Sequence, residues 1–247
     1  MADSGGRVSI GKIVRSESHV RYTCQVYAPG EVAVQPAPAE YAFGRFVHVP
    51  LRPPSSHADV AELTTGSLGF DSAAPPSDAL ESIPDVGAEQ WAVGLIFDTI
   101  LVNPAFGTLG PRLSNAEQIE LFSPDYLSER AVLVSVLLLG TMTLRRGRVV
   151  RVYQGVPPLA PDLGATVESL TDDDVRAFHA FAAPGNGAQP MLHMGYLPHA
   201  IAQTHPLLPQ AMLQTIERLE GLLPANAALL SIVKRNLAWR LKVEAAG

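Results

Sequence analysis

The segment VYAPGEVAVQPAPAEYAFGRFV, residues 26–47, admits few folds. Pro36 and Pro38 lack backbone N–H donors and fix their own φ, so VQPAPAEY can be neither a ladder strand nor a helix interior. What remains is a stiff, polyproline-like bridge. It connects β-like runs. RVSIGKIV (7–14) and HVRYTCQVY (19–27) are β-branched and alternating, and the polar RSES between them suits a hairpin-like turn. Pro29 and Gly30 end the second run, and GRFVHVP (44–50) reads as a third strand. A chain that crosses from one sheet edge to another on such a strap, without exposing a sticky strand, is organised as a small barrel or sandwich.

The rest of the chain adds strands first and helices later. With 247 residues and 47% hydrophobic content it can bury a sizeable core, as one large or two small domains. WAVGLIFDTILV (91–102) reads as a buried strand bent at Gly94. AVLVSVLLLGTMTL (131–144), a tip at RRGR and the return RVVRVYQG (148–155) read as a hairpin. Ser114 to Glu117 forms a capping box, and Ser123-Pro124-Asp125 sets a second short helix. After VPPLAPDLG the texture changes. Thr171 followed by three aspartates marks a helix start carrying Val175, Phe178, His179 and Phe181. From 206 onward one stripe runs Ala211, Met212, Ile216, Leu219, Leu222, Leu223. Pro224 opens a last helix with Leu229, Leu230, Val233, Leu237 and Leu241 as its apolar positions. The expected fold class is α+β: a small N-terminal β-barrel over 7–155, then a helical domain over 166–243.

The net charge of −6 sits in one place. Between Arg52 and Gln90 seven acids (Asp59, Glu62, Asp71, Asp78, Glu81, Asp85, Glu89) face one base, Arg52, so this stretch alone sums to −6. Rich in Pro, Ser and Ala, residues 52–90 read as a long mobile insertion, either a solubilising loop or a mimic of nucleic acid. No apolar run reaches the roughly 18–20 residues that span a bilayer, and MADSGGRVSIGK lacks the basic-then-apolar layout of a secretory leader. A cytoplasmic protein without membrane partners is expected. Cys24, alone and among strand residues, reads as an inert buried thiol and excludes a disulfide framework.

Motifs for chemistry are thin. Gly6 to Lys12 imitates a phosphate-binding loop, but Ile13 stands where a magnesium-binding hydroxyl belongs and the segment itself reads as a strand. His193, His199 and His205, six apart and interrupted by prolines, do not share a helical face. Asp98, Asp125 and Glu129 are the candidates for metal-dependent hydrolysis, with solvation or pairing to arginine as their ordinary fate. The loop from Asn103 to Arg112 offers glycine amides and an arginine to an anion, or is a tight turn pinned by Arg112. Basic residues are more suggestive. Arg145, Arg146, Arg148 and Arg151 surround a hairpin tip, and Lys234, Arg235, Arg240 and Lys242 line the last helix beside Trp239. Both patterns suit phosphates or an acidic partner.

IGKIV, VYAPGEV, AEYAFGRFV, VGLIFDTILVNPAFGTLGPRLS and FSPDYLSERAVLVSVLLLG, in this order, resemble the HAS-barrel family. This is the barrel shared by HerA-type DNA translocases and the N-terminal domains of ATP synthase catalytic subunits. The likeness covers roughly 7–155, is closest to stand-alone members without the ATPase, and leaves the helical remainder aside. It implies docking to a HerA-type ATPase or a NurA-type nuclease, oligomer formation and contact with DNA, and it transfers no catalytic residue and no cofactor. The expectation is therefore a non-enzymatic accessory module with Arg112, Arg145, Arg146, Arg148, Arg151, Lys234, Arg235 and Arg240 as contacts. The competing expectations are a metal-dependent nuclease or hydrolase using Asp98, Asp125 and Glu129, and a self-assembling scaffold unrelated to DNA.

Overall fold

A computed structural model describes residues 6–51, 88–102, 131–181 and 191–244. The alternating runs become strands β1 (Ser9–Ser16), β2 (Arg21–Val26), β3 (Phe46–Leu51), β4 (Ala88–Val102), β5 (Ala131–Arg145), β6 (Arg148–Gln154) and β7 (Thr166–Ser169). All pairings are antiparallel. The order β2-β1-β7-β3-β4-β5-β6 closes because β2 also pairs with β5, giving a six-stranded barrel with β6 appended. β5 makes this possible through its length. Its first half pairs with β2 (Leu133 to Leu137) and its second half with β6 (Gly140 to Arg145), while β4 runs along its other edge throughout.

In ring order β2 and β3 are not neighbours, so the Pro-Ala bridge spans the barrel end between them. The phosphate-loop imitation at Gly6–Lys12 is part of β1: Gly11 lies opposite Val26, and a Cβ there would fall 1.9 Å from the Gln25 carbonyl oxygen. No phosphate fits against that backbone.

One expectation needs correcting. The strand that joins β1 to β3, β7, lies past residue 155, inside the region assigned to helices. Its four residues pair with β1 on one side and β3 on the other, which satisfies backbone groups that would otherwise form two open edges. The helices are α1 (Asp172–His179), α2 (Leu197–Ile201), α3 (Leu208–Leu222) and, after a 3₁₀ turn at Pro224–Asn226, α4 (Ala227–Glu244). They share one hydrophobic core with the barrel rather than forming their own. Alternation along β3 explains how. Val47 and Val49 share a face with Gly94 and Ala92 inside the barrel, while Phe46 and His48 face outward. Phe46 then packs edge-on against His179 of α1, Phe97 of β4 against His205, and Thr215 of α3 donates to the Gly44 carbonyl. α1 begins as its sequence predicts: Thr171 accepts from the Asp174 amide, and the Asp174 carboxylate accepts from the Thr171 amide, a reciprocal capping box. Among the described residues no helix is long and apolar enough to cross a membrane.

Candidate functional site

The arginine-rich tip is built by turn chemistry. Arg146 (φ +51°) and Gly147 (φ +74°) both take positive φ, the conformation of a two-residue turn whose twist matches a hairpin. Arg145 lies opposite Arg148, and Thr143 opposite Arg151. The register slips by one on β6 between these pairs, and this bulge at Val150 returns Arg151 to the face of Arg145 and Arg148. A plain alternation would have sent Arg151 to the other side. Following the ladder inward, the same face passes through Thr141–Tyr153 and Ala92 to Val49, so the arginines extend the barrel-lining face beyond its rim. Arg145, Arg146, Arg148, Arg151 and Tyr153 are all exposed.

The last helix is less available than its composition suggests. Lys234 donates to Glu217 (2.9 Å) and Glu220 (3.1 Å) on α3, and these carboxylates raise its pKa. It ties α3 to α4 rather than projecting toward a partner. Arg235 is exposed, and so is Trp239. The side chain of Arg240 lies outside the described residues, as do Arg112, Asp125 and Glu129, the two short helices expected over 114–129, and 52–87 of the acidic insertion.

Asp98 accepts from the Thr99 amide and has His205 Nε2 at 3.8 Å. The three spaced histidines go to separate places. His193 meets the Gln154 side chain, His199 donates to the Leu138 carbonyl, and His205 packs edge-on against Phe97. Among the described residues no three potential metal ligands cluster. Cys24 is fully buried, and burial pushes its thiol up to about 12, an inert group.

A polar cleft was missed by the sequence reading. It has a volume of about 530 Å³ and is lined by Arg7, His48, Trp91, Glu168 and the ends of β3 and β4. Register brings Ser9, Glu168 and His48 into one row across β1, β7 and β3. Ser9 donates to Glu168 at 3.1 Å. His48 Nε2 lies 3.2 Å from the other Glu168 oxygen, close enough to hold that carboxyl below its ordinary value, but without hydrogen-bond geometry. His48 is buried, and Nδ1 has no partner either. Its ring stacks on Trp91 at 4.0 Å, and the Arg7 guanidinium lies 4.3 Å from the same indole. Arg7 in turn makes a two-pronged ion pair with Asp174 (2.9 and 3.1 Å), locking the chain start to the cap of α1. Desolvation opposes ionisation of Asp174, but the Arg7 and Thr171 bonds prevail and hold its carboxyl below the usual range. The indole is only 6% exposed, so it offers no open stacking platform.

In sequence, the chain matches the family described as Domain of unknown function (DUF8166) over residues 2–57 and 82–246. The chain belongs to DUF8166. The match steps over 58–81, which lies within the acidic insertion. No curated protein matches the chain.

Proposed function

We propose that this DUF8166 chain is a non-enzymatic docking module of the HAS-barrel kind, an accessory to a HerA-type ATPase or a NurA-type nuclease acting on DNA. The observation that carries the proposal is the arginine face of the β5–β6 hairpin. Arg148 and Arg151 are placed on one side by a bulge, beside Arg145 and an apical Arg146, where they meet solvent beyond the barrel rim. Such a tip suits phosphates or an acidic protein surface, and its attraction weakens with salt. The resemblance supplies the partner class, and the closed barrel supplies a rigid base for the tip.

The test is a pull-down of tagged protein from the native organism at low and moderate salt, with Arg148→Glu/Arg151→Glu in parallel. Recovery of a HerA-type ATPase or NurA-type nuclease by the natural chain, reduced about tenfold or more by the double substitution, is the expected result. Recovery of the chain alone, or metal-dependent ATP or DNA hydrolysis abolished by a substitution in this chain, overturns it.

A further inference from the structure

α3 and α4 pack on each other yet distribute their apolar residues differently. On α3 the buried positions include Ala211, Met212, Ile216 and Leu219, and the outward ones are Gln210, Gln214, Glu217 and Gly221. That is a single apolar face. On α4 the face toward the core carries Leu230 and Leu237, with Val233 beside them. A second row is exposed: Leu229 by 49%, Ile232 by 46% and Trp239 by 67%.

The spacing of that second row has a meaning. Positions 229, 232, 236, 239 and 243 advance by alternating steps of three and four, the repeat of a coiled-coil seam. Leu229, Asn236 and Val243 take the a positions, Ile232 and Trp239 the d positions. Asn236, exposed at the central a position, is the residue type that sets register in such seams. The charged flanking positions, read from the sequence, carry one sign: Arg235 and Lys242 at g and Arg240 at e, the other e position being Val233 beside the core. Lys234, the remaining cation, is already occupied by Glu217 and Glu220.

This charge pattern decides between occupants. A second copy in parallel alignment would set Arg235 against Arg240, and in antiparallel alignment Arg235 against Arg235, both repulsive. We propose, resting on the docking reading above, that the outer face of α4 receives a helix from the partner with apolar a and d positions and acidic e and g positions. That helix would complete a three-helix layer with α3 and α4. The seam from Leu229 to Val243 is two heptads, about 22 Å long at the helical rise, enough for a helix-in-groove contact.

The experiment titrates the full chain with two synthetic helical peptides. They are identical at a and d, with one Asn at a, and carry either Glu or Lys at every e and g. The Glu peptide is expected to bind about tenfold tighter or better. Trp239→Ala and Ile232→Glu each weaken it by about tenfold without moving the unfolding midpoint, because both side chains are exposed. Arg235→Glu/Arg240→Glu reverses the preference toward the Lys peptide. Equal binding of both peptides, or of neither, overturns the proposal. Self-association abolished by Ile232→Glu overturns it in favour of a second copy. Binding to anionic phospholipid vesicles, lost in Trp239→Ala, overturns it in favour of a membrane. All these variants keep the hairpin arginines. A failure here therefore leaves hairpin docking standing, and a hairpin variant that still binds the Glu peptide separates the opposite failure.

Discussion

Among the described residues two histidines are withdrawn from solvent, and their surroundings could hardly differ more. His179, in the last turn of α1, has both ring nitrogens engaged. The Val175 carbonyl at 2.8 Å can only accept, so Nδ1 carries the proton, and Nε2 then accepts from the Tyr196 hydroxyl at 2.9 Å. Phe46, Phe178 and Tyr196 enclose it. His48, on β3, stacks on Trp91 and faces Glu168, with neither nitrogen in a hydrogen bond. One imidazole is a structural connector whose polar groups are all paired. The other lies beside charged groups in a cleft wall and contributes mainly its ring. Burial alone does not distinguish them, but the account of partners does.

The comparison is tested most severely by removing the connector. His179→Ala leaves a cavity and a buried Tyr196 hydroxyl without its partner, for an expected loss of about 4 kcal/mol in denaturant unfolding. The next effect is a pH dependence. Burial holds His179 neutral, with its pKa lowered from 6.5 to about 4. The unfolded chain takes up a proton that the native state refuses, so stability is full above about pH 6.5 and falls as pH drops toward 4. The expected loss across that window is about 3 kcal/mol, and it disappears in His179→Ala. Glu168 and Asp174, held below their ordinary values, subtract their contributions only at lower pH, in the carboxylate range. Midpoints measured at half-unit intervals separate the two windows. A flat profile between pH 6.5 and 4.5 would show that His179 is not the buried neutral group described.

Asp174 connects the two corners, since it caps α1 and holds Arg7 against Trp91. Asp174→Ala is expected to cost about 2 kcal/mol through the lost cap and the stranded guanidinium. A loss in unfolding free energy indistinguishable from zero would mean that the ion pair is ornamental.

Much of the scaffold is legible locally. Six of the seven strands among the described residues follow from alternation, apolar runs and turn residues, and the start of α1 follows from Thr171 with acids behind it. The hairpin tip follows from Arg146-Gly147. What escapes is whatever depends on distant segments meeting. β7 is four residues, TVES, after a proline-rich stretch, and nothing in it reveals partners near residues 10 and 47. The cleft is hidden for the same reason: Ser9, Glu168 and His48 form a row only once three remote strands are in register. On α4 the failure is of another kind. Leu229 and Leu230 both count among its apolar positions, yet Leu230 is buried and Leu229 exposed, because the helix carries two apolar stripes and periodicity does not say which one turns inward.

The smallest expected effect is the sharpest test of the contrast. His48→Phe preserves an aromatic ring on Trp91 and removes two nitrogens of which only Nε2 has a polar neighbour, the Glu168 carboxylate at 3.2 Å, so the native state forfeits little hydrogen bonding. What it forfeits is the attraction to Glu168. That carboxylate is 30% exposed, keeps its bond from Ser9 and is screened by solvent. The net change in unfolding free energy should lie within about 1 kcal/mol of zero, of either sign. His179→Phe keeps the ring equally well but strands the Tyr196 hydroxyl in a dry interior, and should cost about 2–3 kcal/mol. The same substitution at two buried histidines thus separates ring packing from polar pairing. Equal losses at both sites would mean that His48 holds a bond this geometry does not contain, and the cleft wall would then be as tightly specified as the aromatic knot around His179.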